Sequence, residues 1–91
     1  MFVTMVFHHP RPEYVADFIE FMRRIERGMV GVDGLVSLES YRDMGSGALV
    51  ALGRWQSPEH AQAGVAKLVA IGGRKLEWTE RPDDFHRLLT L

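Results

Sequence analysis

The sequence LVSLESYRDMGSGALVALGRWQS, residues 35–57, indicates a β-hairpin that leads into a helix. Its two extended segments, 35–43 and 48–55, flank a short glycine-rich loop, which is the pattern of two antiparallel strands joined by a turn. Ser57 at its end is followed by Pro58 and then by an acid, an order that is typical of a helix N-terminus. This stretch therefore predicts a strand, a turn, a strand and the start of a helix.

The segments on either side repeat the alternation of strand and helix. Residues 2–9 are rich in β-branched and aromatic side chains and end at a Pro-Arg-Pro sequence, which predicts a first strand. Apolar residues then recur every three or four positions and predict a helix with one apolar face, formed by Val15, Phe18, Met22, Ile25 and Met29. After the second helix, which should stop at residues 72–73, we expect exposed charge at Arg74. The stretch to 84 should be irregular or form one loose helical turn, and a last strand should follow over 85–91.

Together these segments give the order β-α-β-β-α-β, which predicts a ferredoxin-like α+β fold in one domain, residues 1–91. Right-handed crossovers then give an antiparallel sheet with strand order 4-1-3-2 and both helices on one face. The other face has no cover within the chain, and a domain of this size buries only about 60–65% of its unfolded surface. We therefore expect a homodimer that hides the open face.

The composition excludes several classes of function. The chain has no cysteine, which excludes disulfides and thiol catalysis and suits a reducing cytoplasm. Its formal net charge is −1 and it has no basic stripe, so nucleic acid is not an expected partner. It has no basic leader and no apolar run long enough to span a bilayer, so we expect a cytoplasmic protein without a membrane partner.

Over most of its length the chain resembles the antibiotic biosynthesis monooxygenase family of dimeric α/β-barrel proteins. The resemblance is carried by the segments FVTMVFHH at residues 2–9, RPEYVADF at 11–18, GLVSLESYRD at 34–43 and LVALGRWQSPEHAQA at 49–63. The last of these is similar to that family's strand that ends in Trp and is followed by a Ser-capped helix. The resemblance implies a barrel formed by the sheets of two subunits, with a ligand cleft between the sheet and the helices of each subunit.

The resemblance also implies an activity. It suggests a small-molecule monooxygenase that acts on an aromatic or quinol-like substrate without metal, flavin or any other cofactor. The haem-degrading branch of the family uses an Asn on the first strand, with a Trp and a His on or just after the second helix. This chain contains no Asn, and the first-strand position corresponds to Val6. Haem degradation is therefore not expected, and no obvious donor replaces the Asn.

His8 is the candidate catalytic base. Side chains alternate along a strand, so Phe2, Thr4, Val6 and His8 share one face, which the resemblance directs toward the helices and the cleft. An imidazole titrates near physiological pH and can remove a proton from a bound molecule. The alternative interpretation is a histidine that is simply hydrogen-bonded at the end of a strand.

The predicted ligand pocket consists of apolar, aromatic and imidazole side chains, namely Phe2, Val6, Phe18, Met22, Tyr41, Trp78 and His86. Tyr41 could instead contact a dimer mate, and Trp78 could be an ordinary apolar anchor. His86 reaches His8 only if the last strand pairs with the first in the right register, because a slip of one residue moves it to the opposite face. The motifs HxxxH, HExxH and CxxC are absent, so no metal site is expected.

Three functional hypotheses remain open from the sequence. The first is the cofactor-independent monooxygenase, with His8 as its base. The second is a non-catalytic homodimeric module that binds a small hydrophobic ligand in the same pocket. The third is an isomerase or decarboxylase activity of the kind found in other dimeric-barrel families, which the sequence does not separate from the first.

Overall fold

The computed structural model describes residues 1–91 and contains one four-stranded antiparallel sheet with two helices packed on it. In chain order the elements are β1 (Phe2–His8), α1 (Val15–Gly28), β2 (Leu35–Arg42), β3 (Leu49–Trp55), α2 (Pro58–Ile71) and β4 (Asp84–Leu89). Short 3₁₀ turns at Pro12–Tyr14 and Leu76–Trp78 precede α1 and β4. Neither helix is long and apolar enough to cross a membrane.

The strand order is β2-β3-β1-β4, which confirms the predicted ferredoxin-like α+β topology. Within the sheet Val6 lies opposite Ala51 on β3 and opposite Phe85 on β4. β1 is one residue shorter than predicted and ends at His8. Pro10, which cannot donate a ladder hydrogen bond, forms only an isolated bridge with Thr79. β4 covers residues 84–89 rather than 85–91.

The core lies between the helices and the central strands. α1 buries Phe18 and Met22, as its apolar periodicity predicts, and Met29 at its C-terminus is fully buried. Met29 packs in one cluster with Phe2 and Trp55, which lie side by side on β1 and β3. Burial of each such side chain contributes about 1.5–3 kcal/mol to stability, less the side-chain entropy that is lost.

Individual residues determine where α2 begins and ends, and the helix packs very close to the sheet. The Ser57 hydroxyl accepts a hydrogen bond from the His60 N–H at 3.2 Å, which confirms the predicted N-cap. The helix stops where Gly72 adopts φ 58°, a conformation that favours glycine. Between them Gly64 faces the indole of Trp55 so closely that a Cβ atom there would overlap the ring. The absence of a side chain at Gly64 therefore lets the helix approach Trp55.

The opposite face of the sheet carries apolar side chains that no element of the chain covers. Val3, Met5 and Phe7 of β1 point to this face, and Leu52 of β3 lies beside Met5. All four are only partly buried. Their arrangement is the open apolar face that the strand alternation predicts.

Candidate functional site

A cavity of about 320 Å³ lies between the two helices and the sheet face that they cover. Twelve of its eighteen lining residues are apolar, which suits a small hydrophobic ligand: Val6, Phe21, Met22, Ile25, Met29, Leu38, Ala51, Trp55, Ala61, Val65, Leu68 and Phe85. The side chains that bring polar atoms to its wall are Thr4, His8, Glu26, Ser40 and Arg74. Among these, Ser40 donates a hydrogen bond to the Glu26 carboxylate. Polar groups are therefore few and fall at defined points of the wall.

His8 lies at the end of β1 and faces this cavity. Its Nδ1 atom is 3.1 Å from Oδ1 of Asp83, yet the two are not aligned for a hydrogen bond, so Nδ1 is a buried nitrogen without a hydrogen-bond partner. Burial lowers the pKa of His8 below its usual 6.5, while the nearby Asp83 carboxylate partly offsets that effect. The imidazole is therefore mainly neutral at pH 7, which is the form that accepts a proton.

Asp83 is held in turn by Arg74. The Arg74 guanidinium donates two hydrogen bonds to the Asp83 carboxylate, at 2.5 and 2.8 Å. Burial raises the pKa of Asp83, but the hydrogen bonds from Arg74 and the proximity of His8 lower it more, so the net shift is downward. Asp83 is thus an ionised carboxylate that contacts both His8 and Arg74.

The ring of Phe18 on α1 packs against both His8 and Arg74. Its ring is fully buried and lies 4.7 Å from the His8 ring, centroid to centroid. The Arg74 guanidinium carbon lies 5.2 Å from the centroid of the same ring, within cation–π range. Phe18 therefore holds His8 and Arg74 at the same end of the cavity.

Of the residues predicted for the pocket, Val6 and Met22 line the cavity together with His8. Phe2 lies in the core beside Trp55 and does not reach the cavity wall. Phe18 lies beneath His8 rather than on the wall. The structure thus places two of the seven predicted pocket residues on the same cavity wall as the candidate base, and Phe2 and Phe18 pack behind that wall.

Tyr41 and Trp78 lie outside the cavity. The Tyr41 hydroxyl donates a hydrogen bond to Glu39 on the opposite face of the sheet. Trp78 stacks on Tyr14, with ring centroids 6.4 Å apart, and packs edge-on against Phe18. Its position is that of an apolar anchor for the segment before β4.

His86 does not share a site with His8. In the register of β1 and β4, His86 lies opposite Met5, and this places it on the uncovered face of the sheet. There its ring is edge-on to Phe7, with centroids 5.6 Å apart. Phe85, one residue earlier, takes the place in the cavity that was predicted for His86.

Sequence reasoning missed Asp83 and Arg74. Arg74 was expected to be a solvated charge after the helix stop, whereas its side chain is 31% exposed, pairs with Asp83 and lines the cavity. The two residues are nine positions apart across an irregular segment, so no periodic pattern marks them. The one local signal is that Asp83 comes two residues before the predicted last strand, 85–91, which could pair with β1.

An open groove of about 490 Å³ adjoins the cavity on the side of α1 and β2. Arg23 of α1 and Arg42 of β2 line it, together with Tyr41. Four of its lining residues also line the cavity: Met22, Glu26, Leu38 and Ser40. The groove is more polar than the cavity and lies at its border.

Known structures share this architecture over the whole chain. The protein Rv0793 of Mycobacterium tuberculosis superposes with a TM-score of 0.85 at 20% identity, covering 99% of this chain and 94% of its own. The heme-degrader MhuD of the same organism, solved with two hemes bound in its active site, has a TM-score of 0.80 at 12% identity, with 100% and 96% coverage. A crystal structure of an antibiotic biosynthesis monooxygenase gives 0.80 at 10% identity, with 100% and 99% coverage.

In sequence, the chain is much less similar to known proteins than it is in fold. No protein-family model and no curated protein matches it. Identities of 20% or less make the structural likeness one of fold. The chain therefore has the fold of the antibiotic biosynthesis monooxygenases, the family whose strand and helix motifs its sequence resembles.

Proposed function

We propose that this protein is a cofactor-independent monooxygenase that oxidises an aromatic or quinol-like small molecule in the cavity between its sheet and its helices. The observation that carries the proposal is a mainly neutral His8, in contact with the Asp83 carboxylate, at one end of an otherwise apolar cavity. The likeness of fold to a monooxygenase and to a heme-degrader supports a small-molecule function for this chain. The proposal needs neither metal nor flavin.

In this mechanism His8 removes a proton from an activated CH₂ group of the substrate. Its Nδ1 faces Asp83, so Nε2 is the nitrogen that takes the proton, and the carboxylate stabilises the resulting imidazolium. The substrate carbanion transfers an electron to O₂, and the two radicals combine into a peroxide that takes back the proton. Loss of water from the peroxide leaves a carbonyl group, so CH₂ and O₂ become C=O and H₂O.

The apolar wall has a chemical role in this scheme. A substrate that fills the cavity displaces water, which strengthens the interaction of the carbanion with the charges at the His8 end. Haem degradation is not part of the proposal. The chain has no Asn, and Val6, at the position that the resemblance assigns to that residue, presents only an apolar side chain.

We further propose that residues 1–91 act as one domain and that two copies associate through the uncovered face of the sheet. The side chains of Met5, Phe7 and Leu52 give this face an apolar centre. Glu39 and Arg54, which pair at 3.3 Å, lie at its border. An apolar centre with a polar rim is typical of the interfaces of homodimers.

A second candidate function is a non-catalytic homodimeric module that binds a small hydrophobic ligand. The observation that favours it is the misalignment of His8 and Asp83, which approach to 3.1 Å without forming a hydrogen bond. A binding module needs the apolar cavity but not an oriented base. Its cavity would be occupied without any consumption of oxygen.

Oxygen uptake distinguishes these two functions. Freshly purified protein is mixed with anthrone or with a hydroquinone in an oxygen-electrode cell, against a protein-free control for autoxidation. For anthrone the monooxygenase should consume one O₂ per substrate and give a quinone and water without hydrogen peroxide. Binding of these compounds, measured by calorimetry, without protein-dependent uptake would support the binding module and reject the enzyme.

A further inference from the structure

Arg74 brings a permanent positive charge to a cavity whose wall is otherwise mostly apolar. A guanidinium does not lose its proton in proteins, so this charge is present at every pH at which the protein is folded. Asp83 accepts hydrogen bonds from two of its five N–H groups. The other three remain for a bound molecule, and the side chain is 31% exposed at the cavity wall.

The charges at this end of the cavity balance only while the substrate is neutral. Before proton transfer, the positive charge of Arg74 offsets the negative charge of Asp83, and His8 is mainly neutral. Once His8 has taken a proton, two cations face a single carboxylate. Glu26, the one acid on the cavity wall itself, is hydrogen-bonded to Ser40. A deprotonated substrate would restore the balance if its negative charge lay beside the guanidinium.

The positions of His8 and Arg74 fit two separate roles, one as the base and the other as the anion-binding group. His8 and Arg74 both contact the Asp83 carboxylate, and both rest on the Phe18 ring. A molecule at this end of the cavity therefore lies within reach of both. The base can take its proton while the guanidinium binds an oxygen that becomes negative.

We propose that Arg74 is the anion-binding residue of the cavity and that it selects acidic enols and phenols, in which the negative charge left by proton removal is carried by an oxygen. This inference deepens the proposed function and rests on it for the reaction step. It supplies the donor that the sequence, lacking Asn, did not reveal. Aromatic molecules without an ionisable oxygen would bind in the apolar cavity without this contact.

The inference can be tested by binding alone, without turnover. The probe is 4-nitrophenol, whose ionised form absorbs visible light, and 4-nitrotoluene serves as its neutral isostere. The wild-type protein should lower the pKa of bound 4-nitrophenol by about 1 unit or more, because a guanidinium lies beside its oxygen. Arg74→Gln should lose about tenfold in affinity for the phenolate and keep its affinity for 4-nitrotoluene.

Three further variants identify which cation is responsible. Arg74→Lys should keep part of the phenolate affinity, because it keeps the charge without the planar set of donors. Arg27→Gln removes an equal charge from an exposed ion pair with Glu20 and should behave like the wild type. His8→Gln should still bind the phenolate, since Arg74 remains. If phenolate affinity were lost in His8→Gln but kept in Arg74→Gln, the imidazole would be the anion site and the inference would be wrong.

This test and the test of the proposed function have separate outcomes. Phenolate binding that depends on Arg74, in a protein that consumes no oxygen with any substrate, would reject the enzyme and keep the anion site. Oxygen uptake that depends on His8, together with phenolate binding that is unchanged in Arg74→Gln, would keep the enzyme and reject the anion site. A wild-type protein that binds 4-nitrophenol no better than 4-nitrotoluene would also reject it.

Discussion

His8 and Asp83 meet at the polar end of the cavity, where Nδ1 of the imidazole lies 3.1 Å from a carboxylate oxygen. They come from opposite ends of the chain, and the pairing of β1 with β4 brings them together. Burial lowers the pKa of His8, and the Asp83 carboxylate limits how far it falls. The pair therefore sets the pH range over which His8 can accept a proton.

The pH dependence of oxygen uptake should report this pair. The rate should fall on the acid side with a midpoint below pH 6.5, because protonated His8 cannot act as a base and burial lowers its pKa. Asp83→Asn removes a negative charge beside His8, so the midpoint should move to still lower pH. The matched control is Asp84→Asn, which loses the contact with His9 instead and should leave the midpoint in place. A wild-type midpoint above pH 6.5 would contradict the assignment.

The stability of the protein should depend on pH through the same imidazole. The pKa of His8 is lower in the folded state than its usual 6.5, so between these two values the unfolded chain binds a proton that the folded protein does not. Stability is therefore complete above about pH 6.5 and decreases as the pH falls below it. When the pH is lowered from about 7.5 to about 5.5, the Tm of His8→Gln should therefore fall less than the Tm of the wild type. Asp83, whose folded pKa lies below 3.8, contributes its own loss only in more acid solution.

Gly64 should resist substitution because of its contact with Trp55. An alanine there would gain about 1 kcal/mol of helix propensity, but its Cβ would overlap the indole ring. We expect Gly64→Ala to lower the free energy of unfolding by about 1–3 kcal/mol in denaturant titrations. The double variant Gly64→Ala with Trp55→Leu should be more stable than the sum of the two single effects predicts. Additive effects would show that the helix does not press on the ring.

The proposed dimer interface can be tested by placing one charge on the uncovered sheet face. Leu52→Glu puts a carboxylate at the centre of this face, so the dimer should dissociate in sedimentation velocity experiments. Leu76→Glu is the matched control, because Leu76 is 94% exposed and lies outside the sheet. A wild-type protein that sediments as a monomer, or a Leu52→Glu variant that remains dimeric, would contradict this interface.

The fold could be predicted from the sequence because its signals are local. Ser57 before Pro58 marks the start of α2, Gly72 marks its end, and the glycine-rich loop marks the hairpin. Alternation along β1 grouped Val6 with His8, and the family resemblance directed that face toward the helices, where both residues line the cavity. These local inferences depend only on the chemistry of a few neighbouring side chains.

The details of the site could not be predicted, because they depend on register and on contacts between distant residues. Alternation along β4 divides its residues into two sets but does not say which set faces the cavity. The pairing of Val6 with Phe85 decides that, and it sends His86 to the other face. The same holds for Arg74. Its charge predicted an exposed side chain, and only its hydrogen bonds to Asp83, the residue just before β4, explain why it turns toward the cavity.

The central claim is that His8 is the base of a monooxygenase, and one comparison tests it most directly. It is the initial rate of oxygen uptake with anthrone at about pH 7.5, measured for the wild type and for His8→Gln. Removal of a general base should lower the protein-dependent rate by about 10²-fold or more. His86→Gln, on the opposite face, should keep the wild-type rate. A His8→Gln protein that remains folded and consumes oxygen as fast as the wild type would contradict the account.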